Sequence, residues 1–171
     1  AFKDMGLRDS VLKGIDELGF VHPTKIQAML IPHILGGKDM LGQARTGTGK
    51  TGAFGLPLLH LASKDTPFQA LVLVPTRELC VQVAQEIEDL GQFTPIVPVA
   101  VYGGERMQKQ IDALKKGPQI VVSTPGRLMD MIERGYLLLK NVKFAVLDEV
   151  DRMLDIGFRD DIRKILSQCP K

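Results

Sequence analysis

The stretch ALVLV, Ala70–Val74, carries no polar residue on either face. A strand with one wet face alternates apolar and polar positions, so an unbroken apolar run needs cover on both sides. Comparable runs occur at Ile96–Tyr102, Gln119–Ser123 and Phe144–Leu147, and Met40 and Leu41 begin a shorter one. The segments between them are helical in character. Val11, Leu12, Ile15 and Leu18 share one helical face, and further helices are predicted over 25–35, 50–61, 77–90, 106–115, 126–134 and 159–166. Pro32 is expected to bend or shorten the second of these, because it lacks the N–H that a helix interior needs. Strands alternating with helices predict an α/β fold, with a mainly parallel sheet of five strands covered on both faces. In such sheets ligands bind beyond the C-terminal ends of the strands, so chemistry is sought in the loops that follow them.

Bulk properties set outer bounds. A chain of 171 residues, 44% hydrophobic and 25% charged, suits one globular domain with a full core. No apolar run approaches the roughly 20 residues of a membrane span, and the charged first twelve residues do not read as a secretory leader. Two cysteines, Cys80 and Cys169, make neither a disulfide framework nor a zinc pattern, which predicts a reducing, cytoplasmic setting. A net charge of +2 neither requires nor excludes nucleic acid, since a phosphate backbone needs local positive groups rather than a basic whole. His22, His33 and His60 show no ligand spacing, and the seven methionines read as core or half-exposed fillers.

Two loops carry the chemistry. ARTGTGKTG, Ala44–Gly52, follows the first strand and opens a helix, with Ala44 where a phosphate-binding loop usually has its first glycine. Glycines there let backbone N–H groups point at a phosphate, and the helix N-terminus adds partial positive charge. Lys50 can reach β- and γ-phosphates, and the Thr51 hydroxyl can ligate magnesium. VLDEVDRMLD, Val146–Asp155, puts four carboxylates behind an apolar run. Alone, that pattern is most simply a solvated turn. Beside a phosphate loop it becomes a second site, with Asp148 ending a buried strand to hold magnesium and Glu149 polarising the attacking water. Asp155, Asp160 and Asp161 read as helix-start or surface charges.

Further short motifs stand in a fixed order: GFVHPTKIQ (Gly19–Gln27), ARTGTGKT, PTREL (Pro75–Leu79), Gly103-Gly104, TPGR (Thr124–Arg127) and DEVD (Asp148–Asp151). Together they resemble the first RecA-like domain of the DEAD-box ATP-dependent RNA helicases, over essentially all 171 residues. The resemblance implies a RecA-like P-loop fold of three layers, with ATP and magnesium as cofactors. It implies that Lys50, Asp148 and Glu149 carry catalysis, with Thr51 and Asp148 at the metal. Phe2, Lys25, Gln27, Thr46, Gly47, Thr48, Gly49, Lys50 and Thr51 would bind the nucleotide. Phe2 would stack on adenine or else pack on the first helix, and Gln27 would read the adenine edge through an amide that both donates and accepts. Pro75, Thr76, Arg77, Gly103, Gly104, Thr124, Pro125 and Arg127 would track an RNA backbone without reading its sequence. Glu78 is expected to bond locally to Arg77, and Asp151 to face a second domain. A second RecA-like domain, with the motif III that normally follows, is expected outside this chain. The chain is expected to be a monomer with no membrane partner.

Two positions depart from the family pattern: Val150 stands where motif II usually has alanine, and Cys80 where alanine usually follows PTREL. Both read as tolerated packing changes. Three rivals remain at this stage. A DNA translocase would differ in the nucleic acid that stimulates it, an ATP-gated RNA clamp would grip without unwinding, and a small nucleotide kinase would need a lid and an acceptor site.

Overall fold

The computed structural model describes residues 1–36, 50–104 and 106–170. The chain forms two compact units, Ala1–Ala62 with Gln85–Pro95, and Ser63–Ala84 with Ile96–Lys171. The expected strand at Met40 and Leu41 lies outside the described residues.

The first unit is helical. A 3-10 turn at Phe2–Met5 leads into α1 (Asp9–Glu17), α2 (Lys25–Leu35) and α3 (Lys50–Leu61). α1 buries Val11, Gly14 and Ile15. Gly14 faces the Leu90 carbonyl so closely that any Cβ would collide with backbone, which explains a poor helix former in mid-helix. Leu18, expected on the same face, instead caps the helix and is exposed. α2 packs on α3. Pro32 does not shorten α2, which continues to Leu35. α3 is buried from Gly52 to Leu59, which matches its nearly unbroken apolar sequence.

The second unit holds the sheet. β1 (Ala70–Leu73), β2 (Pro98–Val101), β3 (Ile120–Ser123) and β4 (Phe144–Leu147) are all parallel, in spatial order β2-β3-β1-β4. The register pairs Ala70 with both Ile120 and Phe144, and Pro98 with Ile120. Leu71, Leu73, Val101 and Val121 face a core completed by α5 (Met107–Lys115), α6 (Pro125–Glu133), α7 (Val150–Ile156) and α8 (Arg159–Gln168). Ala70, Val72, Ile120 and Val122, on the opposite face, are equally buried. The unbroken apolar runs therefore mean what they imply in a parallel sheet: both faces are covered. β4 departs from that expectation, with Ala145 exposed and its neighbours half-buried. It pairs with β1 alone among the described strands. α4 (Arg77–Leu90) follows β1 and supplies residues to both units.

Buried glutamines substitute for backbone at the sheet margins. Gln69 accepts from the Ser63 N–H and donates to the Ser63 and Thr66 carbonyls. Gln119 donates to the Lys64 carbonyl at 2.8 Å and accepts from the Val97 N–H at 2.7 Å. Gln69 thus satisfies one backbone donor and two acceptors, and Gln119 one of each, where the backbone lacks a ladder partner. Cys80 is fully buried, and its thiol donates to the Val122 carbonyl at 2.9 Å. Burial pushes its pKa up to about 12, so it behaves as a small apolar filler.

Candidate functional site

All four strands run the same way, so their C-terminal ends form one edge. Strand order places the loops along it as Tyr102–Gly104 after β2, Thr124–Arg127 after β3, Pro75–Arg77 after β1, and Asp148–Glu149 after β4. Residues spread over some 75 positions of sequence thus become neighbours through three parallel pairings.

Each loop has its own geometry. After β1, Pro75 is buried and Arg77 is exposed. The Thr76 hydroxyl accepts from the Leu79 N–H at 3.3 Å, helping to start α4. Arg77 Nε donates to Glu78 Oε1 at 3.0 Å, the local bond expected from sequence. The Glu78 carboxyl is held below its usual range, first by a backbone N–H and then by Arg77. After β2, Gly103 and Gly104 are exposed. Gly104 has φ +85°, so its backbone conformation calls for glycine, while a Cβ there would meet only the end of the exposed Arg77 side chain. After β3, Thr124 is the N-cap residue of α6 and Pro125 occupies its first turn, where a missing N–H costs nothing. The Arg127 side chain is only 13% exposed. Its Nη1 donates to Gln110 Oε1 at 3.3 Å, and its Nε lies 3.9 Å from Asp130.

After β4, Asp148 is 5% exposed and its N–H donates to the Leu73 carbonyl at 2.9 Å, so β1 holds the residue at the sheet edge. Glu149 adopts the left-handed conformation, φ 54° and ψ 51°, and caps α7. A non-glycine residue there carries strain of about 1–2 kcal/mol, which is informative where a carboxylate must be aimed. Arg152 Nη1 lies 4.0 Å from Glu149 Oε1. Val150 opens α7 and packs against the core, which accounts for its size at the departing position. Asp151 is exposed in the first turn of α7.

In the first unit, Thr24 and Gln27 form a capping box at the start of α2. The Thr24 hydroxyl accepts from the Gln27 N–H at 3.3 Å, and Gln27 Oε1 accepts from the Thr24 N–H at 3.0 Å. Gln27 is 5% exposed, and its Nε2 lies 2.5 Å from where a Cβ on Gly52 would stand. The carboxamide is therefore fixed against the first turn of α3, where Lys50 and Thr51 are both half-buried. Lys25 is exposed beside it. Phe2 is 4% exposed, so a base stacked on its ring would have to displace what covers it. Thr46, Gly47, Thr48 and Gly49 lie outside the described residues. No cluster of three or more His, Cys, Asp or Glu suited to a metal occurs among the described residues.

Sequence reasoning missed several features. The Thr24-x-x-Gln27 spacing was a legible capping-box signal. α7 could have been inferred from Val150 and Met153 three positions apart, ahead of the left-handed Gly157. Nothing in the sequence marked Gln110 as buried between two loops.

A parallel sheet with both faces buried, and with its motif loops gathered at one C-terminal edge, defines an α/β domain of the RecA-like class. The chain belongs to the DEAD/DEAH box helicase family, whose profile matches residues 24–171. It is 48% identical over 171 residues to the DEAD-box ATP-dependent RNA helicase CshA of Bacillus cereus, and 49% identical over 170 residues to the ATP-dependent RNA helicase CshA of Listeria monocytogenes. Each match covers 99% of this chain and 33% of the relative, so the chain spans about a third of the proteins it resembles. Among solved structures, a DEAD box protein from the hyperthermophile Methanococcus jannaschii superposes with a TM-score of 0.93 at 46% identity, over 99% of this chain and 47% of that one. A hypothetical ATP-dependent RNA helicase from Sulfolobus tokodaii gives 0.88 at 40% identity, over 95% of this chain and 47% of that one. No helix among the described residues is long and apolar enough to cross a membrane.

Proposed function

We propose that residues 1–171 form the N-terminal RecA-like domain of an ATP-dependent RNA helicase, which binds ATP and supplies half of the grip on an RNA strand. The observation that supports this best is the order of loops along the sheet edge. Three loops with exposed glycines, an exposed arginine and a helix N-terminus stand side by side, next to a loop carrying a buried aspartate and a strained glutamate. The first three suit a phosphate backbone, to which N–H, hydroxyl and guanidinium groups donate. Arg77 and Gly104 are its most exposed contacts, and Arg127 acts with only part of its guanidinium open.

On the nucleotide, Lys50 neutralises the β- and γ-phosphates. Gln27, rigid in its capping box, presents its amide to adenine, with Lys25 and Phe2 as further contacts, and the resemblance assigns Thr46, Gly47, Thr48 and Gly49 to the phosphates. The Thr51 hydroxyl and the Asp148 carboxylate are hard oxygen donors that fit magnesium, an ion that needs only one or two protein oxygens beside phosphate and water. Magnesium held there would offset charge building on the β- and γ-phosphate oxygens. Glu149 orients the attacking water and accepts its proton, and its left-handed backbone aims the carboxylate. Asp151 faces a second RecA-like domain elsewhere in the full-length protein, which supplies the remaining ATP and RNA contacts.

The test is steady-state ATP hydrolysis by the full-length protein with RNA, with DNA and with neither. RNA-selective stimulation that disappears in Lys50→Ala and in Glu149→Gln is expected, with Glu149→Gln still binding ATP. Equal stimulation by DNA would turn the reading toward a DNA translocase, and near-normal turnover in Glu149→Gln would remove Glu149 from its role.

A further inference from the structure

Gln110 lies on α5, outside every motif named above, and is 4% exposed. Its side chain makes three bonds. Nε2 donates to the Tyr102 carbonyl at 2.8 Å, Oε1 accepts from the Tyr102 N–H at 3.2 Å, and Oε1 also accepts from Arg127 Nη1 at 3.3 Å. The first two imitate a ladder partner for the residue that follows β2 and leads into Gly103-Gly104. The third holds the guanidinium of the loop after β3. One buried amide therefore ties the loop after β2 to the loop after β3.

Gln69 and Gln119 make the same kind of backbone-mimicking bonds, but at the opposite, N-terminal margin of the sheet, where the family's motifs are absent. Gln110 differs in its third bond: it ties backbone to a cationic side chain proposed to meet RNA. A carboxamide suits this better than a carboxylate. It donates to a carbonyl and accepts from an N–H at once, and it restrains Arg127 without neutralising it.

We propose that Gln110 is a positioning residue for RNA, holding the Gly103-Gly104 backbone and the Arg127 guanidinium in the arrangement that accepts a sugar-phosphate strand. This rests on the RNA-binding reading above. Without Gln110 the loops remain present but are not pre-set. The RNA must then order them as it binds, which weakens binding without touching the nucleotide.

The experiment uses the full-length protein and a single-stranded RNA, and reads half-saturation by RNA and KM for ATP separately. The wild-type protein must first show RNA stimulation; if it does not, the functional reading fails and not this one. Gln110→Met, similar in volume but without the amide, should raise the RNA half-saturation roughly ten-fold, within the range that loss of buried hydrogen bonds produces. KM for ATP should move less than two-fold. Gln110→Glu sets a carboxylate oxygen against the Tyr102 carbonyl and neutralises Arg127, and should shift the RNA half-saturation in the same direction. It serves if the Met variant does not fold. In an Arg127→Ala background the Gln110 substitution should add less than it does alone. An RNA half-saturation at the wild-type value in a folded variant would overturn the proposal. So would parallel losses in RNA and ATP parameters, which mark a general structural role.

Discussion

At the scale of the single residue, Glu149 joins two requirements that oppose each other. Its φ of 54° is costly for any side chain with a Cβ, yet the carboxylate proposed to orient water sits two positions past the end of β4. If the backbone is strained for the sake of that aim, glycine should relieve it. Glu149→Gly is expected to be more stable than Glu149→Ala by about 1 kcal/mol, because glycine adopts the left-handed region freely. Both should lose hydrolysis. Urea unfolding of the two variants measures this, and an alanine variant as stable as the glycine one would show that position 149 relaxes out of the left-handed region. The carboxylates at 148 and 149 stand out in sequence as candidates because acids behind an apolar run are paired there with GKT. The strain was not legible, since the letters DEVD carry no φ. Gln27 was legible as a site residue only through the resemblance, although its capping-box bond with Thr24 was written in the spacing.

At the scale of the element, helices were more readable than strand environments. α2, α3 and α4 begin and end where apolar periodicity and turn residues predicted. α7 was missed because seven residues opening in acids look like a charged loop. β4 was read as a buried strand, but burial depends on neighbours, and a run such as Phe144–Leu147 cannot announce that it pairs on one side only among the described strands. A contact between elements also yields a pH dependence. His60, at the end of α3, accepts the Arg8 N–H at 3.0 Å through Nδ1, just ahead of α1. Burial first, and the Arg8 charge second, lower its pKa below the usual 6.5. The folded state therefore favours neutral His60. The stabilisation is complete above about pH 6.5 and is lost as pH falls through the lowered folded value. Wild type should lose more stability than His60→Asn between pH 7.5 and 5.5, with denaturant midpoints as the readout. Identical slopes would mean that His60 takes up its proton equally readily in the folded and unfolded states.

At the scale of the whole molecule, the chain spans about a third of its curated relatives, and its chemistry must be considered on that footing. The residues proposed to meet the nucleotide, Gln27, Lys50, Thr51 and Asp148, all belong to residues 1–171. Stabilisation of the transition state needs more, since an arginine donated by another domain is worth roughly 10³–10⁵ in rate at comparable phosphoryl-transfer sites. The isolated chain is therefore expected to bind ADP or ATP weakly and to show almost no RNA-stimulated phosphate release. Calorimetry and a phosphate-release assay with and without single-stranded RNA check the two halves of that statement. Release at the rate of the full-length protein would sink the two-domain account.

The central position of β1 also bears on how the chain is made. Its partners arrive late: Ile120 is fifty residues further along and Phe144 seventy-four. At about 5–20 residues per second of synthesis, ALVLV leaves the ribosome roughly 3–10 seconds before the first of the described strands that pair with it. For that interval it is a bare, uncharged, β-prone segment of the kind that adheres to other nascent chains. Pro67 and Pro75 stand on either side of it, and neither can donate a ladder hydrogen bond. Besides opening a loop at the sheet edge, Pro75 helps to keep the future centre of the sheet from finding the wrong neighbour while the right one is still being translated.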